Sequence, residues 1–147
     1  MKTLTCTIAC LSLLLLAACG DLDQDHSAAP GATTQSACKP STKADGLSAG
    51  TVKAESNGSV VTIHHRDAYY NCAAKLQLQV VGLQNELLVQ EVITNPGELG
   101  RCMCRDDLSV PVTGLTPGKY KITVQDTEGK GVGSTSVTVG GGPVTVT

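Results

Sequence analysis

The sequence predicts an all-β protein, an antiparallel β-sandwich of seven or eight short strands, and three observations carry that prediction. From Thr51 onward apolar and polar residues alternate with a period of two, the spacing of strands buried on one face. Turn-forming clusters, among them Asn57-Gly58, Asn95-Pro96-Gly97 and Gly140-Gly141-Gly142-Pro143, cut the alternation into short pieces. No segment of the domain carries a helical stripe, so strands must pack on strands.

The elements follow in order. Thr51 to Glu55 and Ser59 to His65 flank Asn57-Gly58, where both residues tolerate positive φ, so a hairpin is expected. Ala74, Leu76, Leu78 and Val80 alternate with Lys75, Gln77 and Gln79. Leu87 to Ile93 is a more continuous apolar run, as expected of a strand covered on both faces. Leu108, Val110 and Val112 alternate next, then Tyr120, Ile122 and Val124 against Lys119, Lys121, Thr123 and Gln125. Two late strands, Ser134 to Val139 and Val144 to Val146, are expected on either side of the glycine run.

Ahead of these strands, Met1-Lys2 forms a basic start and an apolar run extends to Ala18, shorter than the ~20 residues of a spanning helix. The run ends in Leu16-Ala17-Ala18-Cys19, which resembles the lipobox of bacterial lipoproteins: an aliphatic residue, two small residues, and a cysteine that takes a diacylglyceryl group. The resemblance implies a signal peptide over 1–18, lipidation of Cys19 and attachment to a bacterial envelope membrane through N-terminal acyl chains. In the sorting rule of enteric lipoproteins an Asp after that cysteine retains the protein at the inner membrane. Here the position is Gly20, so the outer membrane is favoured.

Removing the first 18 of 147 residues leaves 129, one domain's worth of chain. Losing Lys2 leaves ten basic residues against thirteen acidic ones, a net charge of −3, and no basic cluster argues for nucleic acid as a partner. Residues 19–50 are rich in Asp, Ser, Ala, Thr, Pro and Gly with little to bury, and they read as a lipidated N-terminus followed by a flexible tether. The sandwich is expected over 51–147.

The stretch Gly114-Leu115-Thr116-Pro117-Gly118-Lys119-Tyr120-Lys121-Ile122-Thr123-Val124 resembles the L-x-P-G-x-Y-x-V-x-V segment of fibronectin type III and related immunoglobulin-like modules. That resemblance implies an immunoglobulin-like sandwich in which Tyr120 forms a corner by bonding upstream backbone. It implies no activity. With no tryptophan to pack a core disulfide, an antibody-type domain is not expected.

Four cysteines remain beyond Cys19: Cys38, Cys72, Cys102 and Cys104. In an exported chain they are expected to form two disulfides, Cys72 with Cys102 or Cys104 and Cys38 with the other. The alternative is a metal site for zinc or copper built from Cys72, Cys102, Cys104 and His65, since Cys102 and Cys104 on one strand would share a face. His64 and His65 are adjacent, so only one can join it. His65, Asn71-Cys72-Ala73-Ala74 and Cys102-Met103-Cys104 resemble a pattern in uncharacterised bacterial exported β-sandwich proteins, with a histidine, an N-C-C-A segment and a C-x-C before a G-L-x-P-G-x-Y strand. Ala73 stands where the second adjacent cysteine would be.

The chain has no H-E-x-x-H and no paired-carboxylate arrangement, and no enzyme and no cofactor are expected. The expected function is a non-catalytic binding or structural module of the envelope, meeting an envelope protein or other envelope component through its loops or a sheet edge. A metal-binding or redox-responsive lipoprotein is the alternative.

Overall fold

A computed structural model describes residues 28–40 and 50–140. The lipobox, the remainder of 1–27, the stretch 41–49 and the expected last strand Val144 to Val146 lie outside the described residues. The described elements are β1 (Ala29–Pro30), β2 (Thr34–Gln35), β3 (Lys39–Pro40), β4 (Thr51–Asn57), β5 (Val60–Asn71), β6 (Leu76–Leu83), β7 (Glu86–Ile93), β8 (Met103–Thr113), β9 (Gly118–Gln125) and β10 (Gly131–Val139). One short 3-10 turn, Pro96–Glu98, separates β7 from β8.

The strands make two facing sheets. One runs β4-β5-β8, with β1, β2 and β3 strung along the outer edge of β8, and the other runs β6-β7-β9-β10. The all-β sandwich expected from the sequence is therefore the fold. It is not strictly antiparallel, because β7 and β9 pair in parallel from Glu86 with Lys121 to Gln90 with Gln125. The reason is the path of the chain. It leaves β7, returns down β8 in the other sheet, and enters β9 pointing the same way as β7.

Alternation places the core. Val61, Ile63, Leu108, Val110 and Val112 from the first sheet meet Leu76, Leu78, Leu87, Val89, Ile122 and Val124 from the second, all buried. The continuous run in β7 does not mean cover on both faces: Leu87, Val89 and Glu91 are buried while Leu88, Gln90 and Val92 are only half-buried.

The β4–β5 hairpin turns one residue later than expected. Asn57 still pairs with Val60, so the loop is Gly58-Ser59. Gly58 takes φ +62 and Asn57 keeps a negative φ. A glycine at the first loop position is the type II′ requirement, which no β-carbon has to oppose.

Residues 28–40 correct the expectation of a tether reaching residue 50. Ala29 pairs with Thr113, Thr34 with Ser109 and Lys39 with Arg105, and the Gly31 N–H donates to the Pro111 carbonyl at 2.7 Å. The same segment reaches the other sheet through side chains. The Gln35 amide donates to the Ala74 carbonyl at 3.0 Å and accepts the Leu76 N–H at 2.9 Å, and the Thr33 hydroxyl accepts the Leu78 N–H at 2.8 Å. This strap satisfies backbone groups on two sheet edges at once, which needs amides and hydroxyls and no large apolar residue.

Tyr120 is buried at 2 % exposure, as a corner tyrosine should be. Its hydroxyl bonds the Thr116 hydroxyl at 3.0 Å, a side chain four residues upstream, where a backbone partner was expected.

Candidate functional site

β5 is twelve residues long and its inward face is Val61, Ile63 and His65. Strict alternation would turn Asp67 and Tyr69 inward next. Instead the register shifts between His65, opposite Leu108, and Ala68, opposite Asp106, so Arg66 and Asp67 together face Asp107. This is a β-bulge, and it resets the parity so that Ala68 and Tyr70 point in. Asp67 sits at φ +56, a conformation that costs a non-glycine residue and must be held. Asp107 supplies the hold: its Oδ1 accepts the Asp67 N–H at 3.0 Å, while Lys39 lies 2.6 Å and Arg66 3.7 Å from Oδ2. The Lys39 contact, then the Asp67 N–H, lowers the Asp107 carboxyl below the ordinary carboxylate range.

Because of the bulge, His65 and Tyr70 reach the same group. Glu91, on the buried parity of β7, is fully enclosed. Its Oε1 accepts His65 Nδ1–H at 2.5 Å, and its Oε2 accepts the Tyr70 hydroxyl. Each carboxylate oxygen thus has a donor, which is what makes a carboxylate in an aliphatic core tolerable. Burial, then the bond to Glu91 and its charge, raises the Tyr70 phenol above its ordinary range. Gly50 closes over the imidazole at φ +74, where a β-carbon would lie 2.6 Å from His65 Nε2 and 2.3 Å from the Arg66 carbonyl oxygen. Only glycine fits there.

Beside this joint lies an open cleft of about 260 Å³, lined by His65, Tyr69, Tyr70, Asp126, Glu128 and Val132. Its far wall is the β9–β10 turn, where Asp126 Oδ1 accepts the N–H groups of Glu128 and Lys130, both at 2.9 Å. Arg105 stacks over the Tyr69 ring at 5.9 Å. Among the described residues Thr127 adds an aliphatic hydroxyl to the lining. Tyr70 is held as a protonated donor to Glu91, and His65 Nδ1 is committed to the same carboxylate. The arrangement suits recognition by aromatic and acidic surface.

The cysteines lie elsewhere and in two pairs at disulfide distance. Cys38 faces Cys104 with Cα atoms 5.6 Å apart, and Cys72 faces Cys102 at 5.5 Å. Cys102 precedes the first residue of β8 and is exposed, while Cys104 is buried within β8. The alternative ligand set of Cys72, Cys102, Cys104 and His65 is therefore divided among three places. Among the described residues no group of three His, Cys, Asp or Glu side chains is placed to hold a metal ion. His64 and His65 do face opposite sides, His65 buried and His64 half-buried.

Asp106 is a further buried acid, under the strap. At 2 % exposure it accepts the Gln35 amide at 3.3 Å, and burial raises its carboxyl above the ordinary range, with Gln35 opposing in part. Sequence reasoning singled out His65 and missed Glu91, Tyr70 and Asp106. The signal for Glu91 was its parity, since it continues the inward series of Leu87 and Val89. Comparison with known proteins found no matching family model, no matching curated protein and no matching solved structure.

Proposed function

We propose that this chain is a lipid-anchored bacterial envelope protein, attached through Cys19 and residing at the outer membrane, whose β-sandwich is a non-catalytic binding module for another envelope component. The observation that carries the reading is the placement of the cleft relative to the strap. The described chain starts beside Thr113, at the end of the sandwich that holds the Gly58-Ser59 turn. The cleft sits at the other end, with Tyr70 and the β9–β10 turn. An anchor on the first end leaves the cleft facing away from the membrane, accessible to a partner.

The lipobox gives the anchor its chemistry, because only a thiol forms the thioether to diacylglycerol. More than one acyl chain makes membrane attachment stable. Cys19→Ser is expected to abolish metabolic acyl labelling and move the protein to the aqueous phase on detergent partitioning. Retained label would end the lipoprotein reading. The binding role is tested by sedimenting the soluble domain with purified envelope fractions, comparing wild type with Tyr69→Ala/Glu128→Lys. The double variant is expected to keep its melting temperature and lose sedimentation. Equal sedimentation would remove the cleft from the function.

A further inference from the structure

β6 is the edge strand of its sheet, and the strap covers it only as far as Leu78 and again at Gly82. Its last residues on the outer face, Val81 and Leu83, are 54 % and 62 % exposed. Val81 pairs with Leu88, which is half-buried on that same face, so three aliphatic side chains adjoin there. The charges beside them cancel: Lys121 lies 3.5 Å from Glu86, the residue that pairs with Leu83.

The position of this patch is what gives it meaning. Ala28 abuts Gly82, since a β-carbon on Gly82 would lie 3.0 Å from the Ala28 β-carbon. The described chain therefore starts beside Gly82, on the inner face of the edge strand whose outer face carries Val81 and Leu83. Gly20 to Ser27 is eight residues, which span at most about 29 Å when extended and about 16 Å as a flexible coil. With Cys19 acylated, so short a connection keeps Leu83 at high effective concentration near the bilayer surface.

We infer that Val81, Leu83 and Leu88 form a membrane-resting face, so that the protein lies with the Gln84-Asn85 end of its second sheet on phospholipid headgroups. The inference rests on the lipoprotein reading. Asp21, Asp23 and Asp25 in the connection oppose anionic lipid, so the fitting surface is zwitterionic.

The chain has no tryptophan, which makes a single introduced indole a clean reporter. Full-length acylated Leu83→Trp and Leu99→Trp are reconstituted in phosphatidylcholine vesicles containing brominated acyl chains. Leu99 is 42 % exposed at the far end of the sandwich, where the Asn71 side chain bonds the neighbouring Gly100. The expected result is a blue-shifted, bromine-quenched emission for Leu83→Trp, at least threefold more quenched than Leu99→Trp. Equal quenching with both proteins vesicle-bound would overturn the orientation and leave the anchor standing. Failure of both to float with vesicles would overturn the lipoprotein reading itself. A blue shift of Leu83→Trp without vesicles, with a dimer in sedimentation velocity, would assign the face to a second copy and overturn the membrane proposal.

Discussion

The Asp67 N–H donates to Asp107 Oδ1 at 3.0 Å, and that bond decides where Tyr70 points. Without the extra residue that Asp107 accommodates, Tyr70 would face solvent and Glu91 would lose one of its two donors. The joint in the core is thus set by a surface carboxylate on the neighbouring strand.

Asp107→Ala is therefore expected to cost about 1–2 kcal/mol, the loss of charge-assisted bonds at a partly exposed site. It should also displace the Tyr70 ring resonances in an NMR spectrum. The lowered Asp107 carboxyl sets the sign with pH: its contribution is present above the unfolded value near 3.8 and fades as pH falls through the folded one. An unmoved Tyr70 signal would disconnect the bulge from the joint.

Tyr70→Phe removes a donor from buried Glu91 and is expected to destabilise by about 1–3 kcal/mol in urea unfolding. The phenol is raised in the folded state, so its stabilisation is present below pH 10.0, its ordinary value, and is lost as pH climbs beyond it. The variant should show a flatter alkaline limb than wild type. An identical limb would place the titration on another group.

Asp106→Asn should stabilise the domain at neutral pH by about 1 kcal/mol, because it removes a poorly compensated buried charge and keeps an acceptor for Gln35. Here the sign is reversed relative to Asp107. A raised carboxyl favours the folded state below 3.8 and burdens it as pH rises through the folded value. The gain should vanish in acid, and a gain independent of pH would contradict the assignment.

The two cysteine pairs close loops of different length, with partners 66 and 30 residues apart. Replacing Cys38 and Cys104 by serine is expected to cost on the order of 4 kcal/mol, and replacing Cys72 and Cys102 slightly less, by the loop-closure argument. Peptide mapping of unreduced protein checks the pairing directly. A Cys72–Cys104 peptide would refute it.

Tyr120→Phe is expected to cost about 0.5–1.5 kcal/mol, the worth of one hydroxyl–hydroxyl bond. Combined with Thr116→Val, the loss should be less than additive, since both act on one interaction. Full additivity would point to a different partner.

The strands were legible because each buries one face, and Val61, Ile63, Val110 and Ile122 announce that face by alternation alone. The strap was not legible, since its docking uses backbone and the side chains of Thr33 and Gln35, groups that also characterise solvated tails. The bulge was hidden for a related reason: Arg66-Asp67 contains no glycine, and the residue that holds it lies 40 positions away. The parallel β7–β9 pair depends on where β8 crosses, which local pattern does not encode. His65 could be seen as a polar residue on an apolar parity, and the same test applied to the Leu87–Ile93 run would have found Glu91.

The strap also has a consequence for assembly order. Ala29 bonds to Thr113, 84 residues later in the chain, so the first described segment to be synthesised is among the last that can find its place. At ~5–20 residues per second its partner follows by several seconds, during which no β8 exists to receive it. β6 emerges before β8, and until the strap returns its Leu76 and Leu78 amides are bare, an invitation to pair with another chain. The segment that looks most dispensable in the finished protein is the one whose late arrival ends the interval of aggregation risk.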